Sequence, residues 1–219
     1  MFVKSKMERN PITINPEASF YEARKLIHEE GIRHLPVVDN KERLVGLVTD
    51  RDIREAGPSD ATLLSVQEIN YLLGKLKVGG LMTPAEKLIT ITPDTVIEKA
   101  VQLLHDNKIG SLPVLDGNKL VGIITETDIL GLFVDVVGLT VKGTRFTMLL
   151  EDEPGQLFGV LKVLKDRNIN VISIISPTLT FEGKRMVVIR IKTHEYEDIV
   201  KELEKAGYEI MNVTKWPSL

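Results

Sequence analysis

Cysteine is absent from the 219 residues, which excludes disulfides, thiolate metal sites and a cysteine nucleophile. Aromatic residues make up only 5% of the chain, so Ile, Val and Leu must fill whatever core forms. A basic excess is missing as well. Lys and Arg number 28 against 31 Asp and Glu, a net charge of −3. That argues against a broad nucleic-acid surface but not against a single nucleotide, which needs only a few local donors. No apolar run approaches the roughly 18–20 residues that span a bilayer. The most apolar stretch, "ILGLFVDVVGL" (129–139), is short and interrupted by Asp135. The opening "MFVKSKMERN" lacks the apolar run of a signal peptide. The expectation is a cytoplasmic protein with neither membrane nor nucleic acid as a partner. The four histidines (His28, His34, His105, His194) have no metal-ligand spacing. No nucleophile elbow, P-loop or Gly-rich dinucleotide turn occurs. No catalytic residue, no metal and no required cofactor are therefore expected.

What is present is a duplication. "RHLPVVDNKERLVGLVTDRDI" (33–53) aligns with "GSLPVLDGNKLVGIITETDI" (110–129), the first having one extra loop residue. Upstream, "PITINPEASFYEARKLIHEEGI" (11–32) aligns without a gap to "LITITPDTVIEKAVQLLHDNKI" (88–109). Each copy reads as an extended piece ended by proline, a helix, a strand "LPVV" or "LPVL", a turn, a strand "LVGLVT" or "LVGIIT", and a second helix. The order is β-α-β-β-α with a central hairpin. Phe20, Ala23 and Ile27 form the apolar stripe of the first helix; Val96, Ala100, Leu103 and Leu104 form that of its counterpart. A unit this small cannot bury a core alone, so the copies are expected to complete each other.

Thr49 and Asp52 stand three apart where strand meets helix, as do Thr125 and Asp128. One reading is a capping box, with Thr accepting from the first turn. The other is a ligand site. A helix start offers free N–H groups to a phosphate, and an acid one turn on can accept hydrogen bonds from ribose hydroxyls. The two readings are compatible.

These motifs resemble a tandem pair of cystathionine-β-synthase (CBS) domains, a Bateman module, over about residues 1–135. "SVQEINYLLGKLKVGGLMTP" (65–84) resembles its connector. The resemblance implies that Asp52 and Asp128 hold ribose and that Thr49 and Thr125 hold phosphate. Adenine would lie near the "LPVV" segment and the start of the unit, which adds Ile12, Thr83, Gly110 and Ser111 as candidates. Arg33, His34 and Arg51 of the first copy offer charge for phosphate, so a polyphosphate is expected to favour the Thr49–Asp52 site. A solvated strand edge is the plain alternative for Arg33 and His34.

After Gly143 the pattern changes. "TRFTMLLED" (144–152), "INVISIIS", "RMVVIRIKT" and "YEIMNV" read as strands, and "LFGVLKVLKDRN" (157–168) and "EYEDIVKELEKAG" as helices. The order β-α-β-β-α-β is ferredoxin-like. The segment Asp152-Glu153-Pro154-Gly155-Gln156-Leu157 resembles the signature turn of ACT domains. The resemblance implies a small effector, often an amino acid, held by that turn (Asp152, Pro154, Gly155, Gln156, Leu157) and by Asn170. A tight turn with no ligand is the alternative.

The expected fold class is α+β / α/β, two tandem CBS units (β-α-β-β-α) plus a C-terminal ferredoxin-like ACT domain. The expected limits are 1–60 for CBS unit 1, 61–80 for a connector helix, 81–135 for CBS unit 2, 136–143 for a linker and 144–215 for the ACT domain. CBS-plus-ACT chains of this size resemble the bacterial acetoin-utilisation accessory proteins. The expected function is a non-enzymatic regulator that takes an adenine nucleotide as regulatory ligand, forms a homodimer or higher homo-oligomer, and acts on an unidentified protein. A ligand-independent scaffold that docks a metabolic enzyme is the alternative. An unrecognised enzyme, such as a nucleotide hydrolase, is the third reading, and it lacks a base, metal cluster or nucleophile.

Overall fold

The first copy supplies β1 (Glu8–Arg9), α1 (Phe20–Glu29), β2 (His34–Val38), β3 (Leu44–Thr49), α2 (Asp50–Glu55) and the connecting helix α3 (Val66–Lys75). The second supplies β4 (Thr83–Pro84), α4 (Ile97–Asn107), β5 (Ser111–Asp116), β6 (Lys119–Thr125) and α5 (Glu126–Val137). The computed structural model describes residues 1–58, 63–178, 180–181 and 183–216. The expected boundary between residues 60 and 61 lies outside them. The chain divides into two units, Met1–Ile129 and Leu130–Leu219.

Local chemistry sets the elements. Ser19 caps α1 and Ser65 caps α3, each in a reciprocal box with Glu22 or Glu68. β5 and β6 are joined by Gly117-Asn118, with Gly117 at φ +58°, the left-handed backbone a two-residue hairpin requires. The first copy's longer hairpin is held by Asp39. Its carboxylate accepts from Lys41 N, Arg43 N and Arg43 Nε at 2.9, 3.0 and 2.8 Å. The Arg43 side chain, first among these donors, holds the Asp39 pKa down to about 2.

The copies complete each other by exchanging their leading segments. β1, at the start of the first copy, pairs with β6 of the second; β4, at the start of the second, pairs with β3 of the first. The sheets run β2-β3-β4 and β1-β6-β5, all antiparallel. Val78, ahead of the second copy, is fully buried in the first copy's core with Phe20, Leu35, Val37 and Val48. Val3 is likewise fully buried, and its N–H donates to Thr95 O at 2.8 Å. Gly46 and Gly122 make room for the exchange. A Cβ on Gly46 would lie 2.8 Å from Thr83 O, and one on Gly122 2.9 Å from Glu8 O.

One expected core residue is displaced. Val96 is the N-cap of α4 and 45% exposed, and Ile97 is buried in its place beside Ala100 and Leu104. An N-cap residue has left the helical path, so the stripe starts one residue later. α5 runs to Val137, two residues into the stretch read as a linker.

In the second unit, β7 (Gly143–Glu151), α6 (Gln156–Asp166), β8 (Val171–Ile175), β9 (Thr180–Phe181), β10 (Lys184–Ile191), α7 (Glu197–Lys205) and β11 (Glu209–Trp216) follow in order. The antiparallel sheet runs β11-β7-β10-β8, with β9 a short addition beside β10. This is the ferredoxin-like arrangement, one face packed by α6 and α7. Phe146, Met148 and Leu150 of β7 meet Val160, Leu164, Ile199 and Leu203 of the helices. Arg190 is 2% exposed. Its guanidinium lies 5.1 Å from the Trp216 ring centroid and donates to Val141 O at 3.2 Å. Among the described residues no helix is long and apolar enough to cross a membrane.

Candidate functional site

The exchange of β1 builds a cleft within the first unit. Its volume is about 610 Å³, enough for a small ligand. Asn10, Pro11 and Ile12, following β1, line it together with Gly31–His34 of the first copy and Gly110, Ile123 and Thr125–Asp128 of the second. The chain thus brings the expected residues Ile12, Arg33, His34, Gly110, Thr125 and Asp128 to one place. Thr49, Arg51, Asp52, Thr83 and Ser111 do not line this cleft.

At its floor lies the start of α5. Asp128 Oδ2 accepts from Thr125 N at 2.8 Å and from Thr125 Oγ1 at 2.7 Å, while Thr125 Oγ1 accepts from Asp128 N at 3.3 Å. The capping reading and the site reading thus describe one geometry. The cap consumes Oδ2 and fixes the carboxylate's orientation. Among the described residues Oδ1 has no partner. It is the atom that can accept from a ligand hydroxyl. Thr49 and Asp52 repeat the geometry at 2.7, 2.7 and 3.2 Å.

Arg33 and His34 were expected to serve Thr49 and Asp52. The structure places them in the cleft with Thr125 and Asp128 instead. His34 is cross-strand neighbour to Thr49, yet a Cβ on Gly110 would lie 2.7 Å from His34 Nε2. The ring therefore lies against the second copy, in space that glycine leaves. Burial pushes the His34 pKa below its ordinary value; Asp50 and Glu126 oppose that pull and Arg33 adds to it. Arg51 pairs with Glu55 at 2.7 Å on the exposed side of α2. Ser111, which matches His34 in the duplication, is 4% exposed, and its hydroxyl has no partner among the described residues.

Sequence reasoning missed Glu8, Asn10, Pro11, Gly31, Ile32, Ile123, Glu126 and Thr127 as lining residues. A signal for the first two existed. Val3 and Met7 repeat as Val78 and Met82, four apart in both places. Each pair forms a turn closed by the Met N–H donating to the Val carbonyl at 2.9 Å. Extending the alignment by that spacing would have shown that the leading segments belong to the repeat.

In the second unit, the Asp152–Leu157 turn enters α6 through Gly155, the N-cap, at φ +93° with no side-chain cap. Asp152 pairs with Arg185 at 2.8 Å. Asn170 stands just before β8 and its carbonyl accepts from Lys192 N at 2.9 Å.

Comparison with known proteins accounts for the duplication. The CBS domain family matches residues 3–59 and 78–135. The chain belongs to the CBS-domain proteins. Behind the CBS pair, residues 142–214 match the TTHA0829-like ACT domain. A CBS domain-containing protein of Dictyostelium discoideum is 33% identical over 138 residues, 63% of this chain and 94% of that protein. Inosine-5'-monophosphate dehydrogenase of Staphylococcus aureus is 32% identical over 73% of this chain, which spans only 28% of that enzyme. Among solved structures, an acetoin utilization protein (AcuB) from Vibrio cholerae has a TM-score of 0.53 and 27% identity, covering 64% of this chain and 95% of its own. CBSX2 in complex with AMP has a TM-score of 0.51 and 30% identity, covering 62% and 98%. The CBS domain pair of protein MJ0100, in complex with 5'-methylthioadenosine and S-adenosyl-L-methionine, has a TM-score of 0.50 and 29% identity, covering 61% and 95%.

Proposed function

We propose that this protein is a non-enzymatic regulator whose CBS pair senses an adenosyl compound, an adenine nucleotide or a close relative, in the cleft floored by α5. The observation that carries the reading is the half-used carboxylate of Asp128. One oxygen is fixed by the helix cap, the other has no partner among the described residues, and the residue lines a ligand-sized cleft. In this reading Asp128 accepts from the ribose hydroxyls. Ile12 and Ile123 offer apolar surface to adenine, and Thr125 stands at the helix start. The solved structures with AMP and with S-adenosyl-L-methionine support it, since those proteins share the CBS-pair fold. Thr49 and Asp52, with Arg51, Thr83 and Ser111, form the counterpart site of the duplication.

Ligand binding would regulate by favouring one conformation over another, which requires unequal affinity for the two. The regulated protein is an unidentified enzyme or its assembly; the likeness to AcuB points towards acetoin metabolism. The ACT domain is the second sensing element, with the uncapped start of α6 at Gly155 facing an incoming carboxylate such as that of an amino acid. A homodimer is the expected assembly. Calorimetric titration of the purified chain with AMP, ATP, adenosine and S-adenosylmethionine tests the central reading, together with mass spectrometry of any co-purified nucleotide. At least one of these compounds should bind in the micromolar range, and Asp128→Ala should weaken it. If none binds and none co-purifies, the ligand-independent scaffold stands instead.

A further inference from the structure

We propose that the cleft floored by α5 selects adenosyl ligands without net negative charge, a neutral nucleoside or its sulfonium derivative, over nucleotide phosphates. The inference rests on the adenosyl reading above and adds the charge of what is chosen.

Glu8, Glu126 and Asp128 line the cleft, and Arg33 is the one Lys or Arg among its lining residues. Formal charge there is two negatives in excess. Neither Glu8 nor Glu126 is drawn into an ion pair among the described residues, and nor is Arg33. The acids therefore act on whatever enters. His34 lends little positive charge near neutral pH, because burial disfavours its protonated form.

A phosphate would ordinarily be welcomed at the start of α5, where the helix presents free N–H groups and the positive end of its dipole. Here the first turn already carries two acids, Glu126 and Asp128. Thr125 N and Asp128 N are already committed to the cap. Glu126 stands at the same end of the cleft as His34 and Gly110, since its Oε2 is 3.8 Å from where a Gly110 Cβ would lie. A dianionic phosphate brought there meets like charge on two sides. A sulfonium cation meets attraction, and a thioether is indifferent.

The groups are partly exposed, so salt should screen the preference. That makes ionic strength a readout. Titrate the full chain by calorimetry with S-adenosylmethionine, 5'-methylthioadenosine, AMP and ATP, in chelator, at low and high salt. The expected order is S-adenosylmethionine tightest, then 5'-methylthioadenosine, AMP and ATP. AMP should bind roughly ten-fold or more below the neutral compound at low salt, a gap that closes as salt rises. Glu126→Gln and Glu8→Gln remove exposed carboxylates, and each should narrow the ratio between 5'-methylthioadenosine and AMP several-fold. If AMP or ATP binds as tightly as the neutral compound, or if neither substitution moves the ratio, the charge selection is overturned and the adenosyl reading stands. If no adenosyl compound binds, both fall together.

Discussion

Asp128 shows how one side chain can serve fold and site without conflict. Its Oδ2 closes the helix cap with two donors, leaving Oδ1 without a partner among the described residues on a side chain that lines the cleft. Asp128→Asn keeps an acceptor for the cap and removes the charge. A hydrogen bond to a charged group contributes roughly 1.5–3 kcal/mol, so adenosyl affinity should fall about 10- to 100-fold in calorimetry. The melting temperature of the unliganded protein should barely move. A large loss of stability with unchanged affinity would assign the residue to the cap alone. His34 gives a second residue-scale prediction. Its folded pKa lies below the ordinary 6.5, first because of burial. The unfolded chain therefore takes up the proton first. The neutral ring's contribution to stability is complete above pH 6.5 and is lost as the pH falls through the folded value. Wild type should lose stability between about pH 7 and 5 more steeply than His34→Gln, measured by denaturant midpoints at each pH.

At the scale of elements, the cleft exists because β1 is traded to the second copy's sheet. Gly122 makes that trade sterically possible, since a Cβ there would press on the Glu8 backbone carbonyl at 2.9 Å. Backbone cannot swing aside as a side chain can. Gly122→Ala should push β1 off β6, destabilise the first unit by roughly 1–3 kcal/mol, and weaken ligand binding because Asn10 and Ile12 follow directly from β1. Gly110→Ala makes a contrast. Its Cβ would meet the far end of the His34 ring at 2.7 Å, and a ring can rotate. Stability should change little while affinity shifts, as a titration of each variant would show. The hairpins, the two capping boxes and the ferredoxin-like order were legible because each rests on neighbours in sequence: turn residues, three-residue cap spacing, alternating strands. The exchange was not legible. Nothing local to Glu8-Arg9 says that its partner is Ile123-Gly122, more than a hundred residues on. The same gap hid the transfer of Arg33 and His34 to the other cleft. Val96 failed for a smaller reason, since periodicity cannot tell the first helical residue from its cap.

At the scale of the whole molecule, the chain divides at Ile129 into two units with separate cores, and its composition supplies a means to watch them separately. The only tryptophan is Trp216, in the second unit, where its indole N–H donates to Leu139 O at 2.6 Å and its ring covers the buried Arg190. Its fluorescence therefore reports the unfolding of the second unit. An adenosyl ligand bound in the first unit adds about 2.7 kcal/mol of stability at a hundred times its Kd. At a few degrees per kcal/mol for a unit of this size, its midpoint should rise on the order of 10 °C. Calorimetry should show one transition moving by that amount, while the transition followed by Trp216 fluorescence stays where it was. In Asp128→Asn, bound about 10- to 100-fold more weakly, the same ligand concentration should add only about 0.4–1.4 kcal/mol, so the moving transition should shift by roughly half as much or less. If fluorescence and calorimetry shift together in wild type, the two cores unfold as one, and ligand binding in the first unit is felt throughout the second. That outcome would contradict independent melting of the units, and it would make the ACT domain a direct reader of what the CBS pair has bound.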